Sequence, residues 1–490
     1  MFLPVILWTD ALVFLLLAVV AAFAIYARRH EHLRAPWRRV AQTPAAMSAA
    51  VVLLAFIAVG LLDSLHFRPA VEPVAVAGAK RSAAAATAYA PEVKSVLDVM
   101  LAHLSSRTER TYSAPLATHA YSKETMEVPG LGQVRDYPRL RNGGAHLQDA
   151  VTDWRWDVLL TVFKGMGLAL FAWSIAAFLL LIAVKPAEPA YPTIGAFSDA
   201  VWRGKTVVPW RTVLITLGLI LLVVVPAILL ARGYHVLGTD KVGQDVLFLS
   251  LKSIRTALVI GTLTTLVMLP FAVLFGIMAG YFRGWIDDVI QYLYTTLNSI
   301  PGVLLIAAAV LVLQVQMEAA PELFPTTAQR ADFRLLFLCI ILGVTSWTGL
   351  CRLLRGEALK LRELEYVQAA QAFGVSHWNI MLRHILPNVM HIVLISVVMD
   401  FSGLVLAEAV LSYVGVGVDP SMISFGTMIN AARLEMGREP MVWWSLASAF
   451  VFMLMLVLAA NLFADAVRDA FDPRVRVSPR NRHMAEAAAA

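Results

Sequence analysis

Repeated apolar runs long enough to cross a bilayer constrain this chain more than any other feature. A hydrocarbon core about 30 Å thick is crossed by roughly 20 residues of α-helix rising 1.5 Å each. Backbone amides inside it must be satisfied within the segment, so such runs become helices. About nine runs qualify, at 4–27, 45–64, 158–184, 210–231, 256–282, 288–315, 335–351, 389–411 and 441–464. Only 15% of the residues are charged, against about 25% in soluble domains. The expected fold class is all-α, a polytopic transmembrane bundle.

Charge orients the spans. The first run has no basic segment ahead of it, as a secretory signal would. Its positive charges come after it, at Arg28, Arg29, Arg34, Arg38 and Arg39. Lys and Arg concentrate on the cytoplasmic side of spans, so residues 28–44 are expected inside and the N-terminus outside. Alternation then places 65–157 outside. It places 185–209 inside with Lys185, Arg203 and Lys205, along with the turn "YFRGWIDD" at 281–288 and residues 352–388. The tail with Arg468, Arg474, Arg476, Arg480 and Arg482 is also inside. The formal charge of +6 thus reads as topology, and nucleic acid is not an expected partner. Within 65–157, Val93, Val96, Leu97, Met100, Leu101 and Leu104 recur at helical spacing after Pro91, which fits a first-turn position. Such a helix could line a small extracytoplasmic domain, rest on the membrane or meet a partner. The stretches "AKRSAAAATAYAP" and "RNGGAH" read as linkers.

The stretch "EYVQAAQAFGVSHWNIMLRHILPN" (365–388) interrupts two spans with short amphipathic pieces. Tyr366, Ala369, Ala370 and Phe373 share one helical face, with Glu365, Gln368 and Gln371 polar. Gly374 can end the first helix in a left-handed conformation. Ser376 can cap a second helix from His377 to about His384, which Pro387 is expected to stop. An apolar knob with polar flanks suits docking into a groove; an interfacial helix on lipid headgroups fits equally well.

Other chemistry is poorly provided for. "RGKT" (203–206) lacks the glycine of a phosphate loop, Asp199 standing in its place, and "RRHEH" (28–32) is not HExxH. Cys339 and Cys351 would lie about 18 Å apart on one helix, out of disulfide reach, and two thiols alone make no zinc site. No catalytic residue, resident cofactor or metal is expected. Charges inside spans are costly and so become functional candidates. Asp400 and Glu408 could line a water-filled passage and meet an ammonium group, or make structural hydrogen bonds. Asn298, before "SIPG", and Pro301 mark an expected kink that could serve a passage or packing. Lys164 is expected to snorkel from its span end. Gly276 and Gly280 form GxxxG, which permits close helix approach.

The run Gln368-Ala369-Ala370-x-x-x-Gly374, ending in Ile385-Leu386-Pro387, resembles the EAA loop of permease subunits in bacterial ABC importers. In that family the loop forms a coupling helix seated on a cytoplasmic ATPase. Gln368 replaces the usual Glu, removing a charge. His384, within "RHILPN", matches the oligopeptide and dipeptide branch. "LGTDKVGQDVL" (237–247), "GIMAGYFRGWIDDVI" (276–290), "LAEAVLSYVGVGV" (406–418) and "NLFADAVRDAFDPRVR" (461–476) resemble C-type peptide permeases in the same order.

The resemblance divides the chain into two N-terminal spans (1–64), an outer segment (65–157), a third span and linker (158–205), a six-span core (206–476) with its loop at 357–388, and a tail (477–490). It implies a permease subunit in the bacterial inner membrane with a cytoplasmic C-terminus, most readily for di- or oligopeptides. The implied partners are a second, B-type permease, two ATPase subunits that bind the ATP, an extracytoplasmic solute-binding protein and membrane lipid. The coupling residues it implies are Glu365, Tyr366, Gln368, Ala369, Ala370, Phe373, Gly374, His384 and Pro387. The alternatives are a secondary transporter, or a membrane scaffold or sensor using the fold without an ATPase.

Overall fold

The computed structural model describes residues 2–70, 89–128, 132–185, 191–324 and 326–471. Most of the 79–91 linker and the arginines at 474, 476, 480 and 482 lie outside the described residues. In chain order the elements begin with β1 (Phe2–Val5), α1 (Trp8–Arg29), α2 (Glu31–Gln42) and α3 (Pro44–Ser64). The outer segment contains β2 (His66–Pro69), β3 (Lys94–Ser95), α4 (Val96–Met100), α5 (Ala102–Ser105) and a hairpin of β4 (Glu124–Val128) with β5 (Gly132–Asp136). Next come α6 (Trp154–Val184), α7 (Ile194–Trp202) and α8 (Trp210–Leu230). The remainder is α9 (Val246–Phe282), α10 (Trp285–Ser299), α11 (Gly302–Ala319), α12 (Thr327–Ser346), α13 (Thr348–Arg362), α14 (Glu365–Ala372), α15 (His377–Ile380), α16 (Leu386–Val414), α17 (Phe425–Arg433) and α18 (Trp444–Phe471).

Among the described residues nine helices are long and apolar enough to cross a membrane, as the sequence suggests. Two differ from the expected spans. The run at 4–27 begins with an edge strand, not a helix: β1 pairs antiparallel with β2, which pairs with β3. Pro4 suits that edge because a proline has no amide to donate to a ladder. The run at 288–315 is two helices rather than one kinked helix. Ile300 is extended (φ −92°, ψ 128°), as a residue before proline tends to be, and Pro301 opens α11. Only Gly302–Ala319 of this region has the length and hydropathy of a span. The fold is otherwise helical, and neither small sheet is apparent from the sequence pattern.

α9 is the central post, with α13, α12, α16 and α3 packed around it. Its GxxxG sets the contact with α13. A Cβ at Gly276 would lie 2.7 Å from Leu354 Cβ, and one at Gly280 would lie 2.6 Å from Ala358 Cβ and from the Arg355 carbonyl oxygen. Glycine is therefore what lets α9 and α13 touch. α3 packs against α9, α8 and α18, while α6 packs against α8.

The two ends of the bundle differ. At one end residues 109–121 and 140–144 of the outer segment hydrogen-bond along 232–245, through Glu109 N to Gly243 O, Leu116 N to His235 O and Gly144 N to Gly233 O. Tyr121 Oη donates to Met441 O, and Trp444 Nε1 to Thr239 O. α9 and α18 start at this end and run to the other, where α2 and residues 357–388 lie beside the final turns of α18 and α9. This separation of 65–157 from 28–42 and 357–388 is what alternation of the spans requires. The expected helix after Pro91 begins later, at Val96. Ser95 and Asp98 form a capping box there, and Leu97 and Leu104 are buried while Met100 is exposed.

Candidate functional site

α13 ends at Arg362, and the chain turns through Glu363 and Leu364 into α14. Gly374 takes φ +72°, the left-handed conformation that costs glycine nothing. Ser376 Oγ then accepts from Asn379 N at 3.4 Å to cap α15. The hinge is as the sequence suggests, but the second helix is not. α15 passes through a π turn, Met381–Ile385, straight into α16, so that His377–Val414 is one continuous span. Pro387 does not stop it. A proline inside an α-helix clashes with the carbonyl four residues back, but Pro387 stands in the first turn of α16, directly after a widened turn in which Leu386 N bonds Met381 O. π turns absorb irregularities of this kind.

The loop's faces also differ from the expected ones. Ala370 is buried with Val367, facing α9 and α13, rather than sharing an outer face with Tyr366, Ala369 and Phe373. Glu365, Tyr366, Gln368, Ala369, Phe373 and Gly374 are exposed. Phe373 is 88% exposed and Trp378 55%, an aromatic pair on either side of the hinge. Gln368 Nε2 donates to Glu363 O at 3.2 Å, a bond that a glutamate, with no N–H to offer, would not make. Tyr366 Oη accepts from Asn388 Nδ2 at 3.1 Å and its ring lies 6.1 Å from that of His384. Pro387 is exposed.

One residue that sequence analysis does not single out joins both halves of the hinge to α9. Tyr281 is 2% exposed. Its hydroxyl lies 2.8 Å from His377 Nδ1 and accepts from Gln371 Nε2 at 3.2 Å. Its carbonyl accepts from Arg362 Nη1 at 2.9 Å. Two ion pairs brace the same corner, Arg283 with Glu363 at 2.7 Å and Arg355 with Asp287 at 2.6 Å. The loop is therefore tied through side chains to the ends of α9 and α13. The signal available was Tyr281 in "GYFRGWIDD", but no spacing rule links it to a segment 90 residues away.

The residues considered for lining a passage separate. Glu408 is 1% exposed and accepts from Ser412 Oγ at 2.6 Å and Ser424 Oγ at 2.9 Å. It ties α16 to the start of α17. Asn298 is exposed and its Oδ1 accepts from Thr348 Oγ1 at 3.1 Å, joining α10 to α13. Asp400 is partly buried and makes no side-chain hydrogen bond or ion pair among the described residues.

A second polar constellation, which no sequence motif marks, lies at the opposite end. Arg255 of α9 pairs with Asp10 of α1 at 2.6 Å and lies 3.9 Å from Asp332 of α12. Thr9 donates to Asp332 through its amide at 3.2 Å and through its hydroxyl. Lys252 pairs with Asp63 at 2.7 Å and Asp98 at 2.9 Å. A cavity of about 270 Å³ opens beside them, lined by Asp63, His66, Glu92, Lys252, Arg255 and Asp332 among others.

Residues 272–477 match the family model for the binding-protein-dependent transport system inner membrane component. The chain is 33% identical over 242 residues to the oligopeptide transport system permease protein OppC of Mycobacterium tuberculosis, covering 49% of this chain and 77% of that protein. It is 31% identical over 244 residues to the glutathione transport system permease protein GsiD of Pectobacterium atrosepticum, covering 49% and 73%. Against the dipeptide transport system permease protein DppC of Lactococcus lactis it is 29% identical over 243 residues, covering 50% and 65%.

Proposed function

The chain belongs to the family of binding-protein-dependent transport system inner membrane components, and we propose that it forms half of the passage of an ATP-driven peptide importer, driven through its 365–388 loop. It is a multi-pass transport permease subunit of the ABC importer class. The relatives named for oligopeptides, dipeptides and glutathione support a peptide substrate. A B-type permease, two ATPase subunits that bind and hydrolyse ATP, and an extracytoplasmic solute-binding protein complete the assembly. The loop, α2 and the C-terminus face the cytoplasm and the N-terminus and outer segment face outward, in the bacterial inner membrane.

The observation that carries the reading is the Phe373–Trp378 pair, exposed on a hinged loop whose inner side is bonded to α9. An exposed aromatic pair is a ready anchor for a groove, and the ATPase supplies the groove. Closure of the ATPases on ATP moves the hinge. Tyr281, Val367 and Ile380 pass that movement to α9, α13 and α16, which open the passage outward, and hydrolysis resets it. Asp400 is a candidate to meet a peptide ammonium in that passage.

The test uses two variants in the assembled transporter. Phe373→Asp changes an exposed ring and so should leave the protein folded in the membrane. It should abolish substrate uptake and lower substrate-stimulated ATP hydrolysis by about tenfold or more, the loss of a single interface anchor. Gly374→Pro, which cannot adopt φ +72°, should do the same. Uptake and stimulation at the unsubstituted level in both variants would refute the coupling role.

A further inference from the structure

The loop between the first two spans is itself a helix, and its surroundings fix what it can touch. α2 joins α1 and α3 through single extended residues, His30 (φ −116°, ψ 114°) and Thr43 (φ −88°, ψ 119°). Twelve residues of helix are about 18 Å long, so α2 bridges the ends of two spans and lies across them rather than standing away from them. Its apolar side is occupied. Val40 is 4% exposed, and it and Trp37 pack on Ala466, Val467, Ala470 and Phe471 at the end of α18, with the Trp37 and Phe471 rings 5.6 Å apart, edge to face.

The other side is cationic. Arg34, Arg38 and Arg39 are exposed on α2, as are Arg28 and Arg29 at the end of α1. None of their guanidinium groups makes a hydrogen bond or ion pair among the described residues, and Glu31 is the only acidic residue from 28 to 42. Five guanidiniums without a partner among the described residues, held at the level where spans leave the hydrocarbon, meet phosphate oxygens. We propose that α2 is an interfacial helix whose arginine face binds the headgroup phosphates of anionic phospholipids, anchoring the end of α18 to the membrane surface. An amphipathic helix with a basic polar face lies in that plane, and basic residues beside spans attract anionic lipid. A protein partner fits less well, because the single-residue joints keep the arginines at headgroup height.

The full chain is purified in detergent with equimolar phosphatidylglycerol and phosphatidylcholine, and bound lipids are counted by native mass spectrometry. Phosphatidylglycerol should be retained over phosphatidylcholine. Each arginine near an anionic surface strengthens binding roughly five-fold, so the Arg34→Gln/Arg38→Gln/Arg39→Gln variant should reduce the preference by about tenfold or more. The corresponding Arg→Lys triple variant should keep it, and Arg203→Gln/Lys205→Gln, on another loop, should leave it unchanged. Equal retention of phosphatidylglycerol by the Gln triple variant and the unsubstituted chain would overturn the proposal. So would loss of an ATPase subunit from that variant with lipid retention unaltered, which would assign the arginines to a protein partner.

Discussion

At the scale of single residues, His235 is one of the ties between the outer segment and the chain before α9. It is 2% exposed, with Nδ1 2.8 Å from Asp245 Oδ2 and Nε2 3.5 Å from Glu109 Oε1. Burial by itself would lower its pKa, but the carboxylates of Asp245 and Glu109 outweigh burial and push it up to about 9. Burial likewise works to raise the pKa of Glu109; His235 and the amides of Asn142 and Arg141 overcome it and hold the carboxyl below its ordinary value. A histidine whose folded pKa exceeds its unfolded value stabilises the fold fully below the unfolded value, about 6.5. That stabilisation, on the order of 3 kcal/mol, is lost as pH rises through about 9. Amide hydrogen exchange at 109–121 should therefore accelerate between about pH 7 and pH 10, after correction for intrinsic rates. In His235→Gln exchange should be fast throughout and lose that dependence. An unsubstituted chain whose protection is flat across this range would remove the histidine from the anchor.

At the scale of elements, the α9–α13 contact shows both the reach and the limit of reading a sequence. Gly276 and Gly280 stand out as a small-residue stripe, but nothing local names α13 as the partner. That depends on how α10, α11 and α12 return the chain, and the break at Ile300 and Pro301 within one apolar run governs the return. The hinge at Gly374 was legible because a left-handed residue and a serine cap are local requirements. Pro387 was misread because its accommodation depends on the π turn before it, which sequence periodicity does not reveal. The helix contact yields a test with a built-in control. Gly280→Ala places a methyl 2.6 Å from Ala358 Cβ, and overpacking of this kind costs about 1–3 kcal/mol. Melting of the detergent-solubilised protein should fall by several degrees, and adding Ala358→Gly should recover part of the loss. If the second substitution lowers stability further, the two helices do not meet at this pair.

At the scale of the whole molecule, the question is whether residues 1–64 are an appendage or part of the core. The apolar runs were legible because a bilayer imposes one length on every span. The joining of α1 and α3 to α9 and α12 was not, because it is made by polar residues far apart in the chain, such as Thr9 and Asp332. Family resemblance was silent there too, since the family match starts at 272. The geometry favours integration. Arg255 is 6% exposed and Asp332 2%, and Asp10 and Thr9 supply their partners. Without residues 1–64, Lys252 would lose Asp63 and keep Asp98 alone. Removing one member of a buried pair costs about 3–5 kcal/mol because the other charge is left unpaired, whereas replacing the whole group by apolar residues is often neutral. Deleting residues 1–64 should therefore give a chain that inserts but melts far below the full-length protein or is degraded. The same deletion carrying Lys252→Met, Arg255→Met and Asp332→Leu should recover a substantial part of the lost yield and melting temperature. A truncated chain as stable as the full-length one would make α1 and α3 peripheral. Failure of the triple substitution to help would shift the weight from charge to the apolar packing of α3 on α9 and α18, where Gly60 leaves room for Leu258.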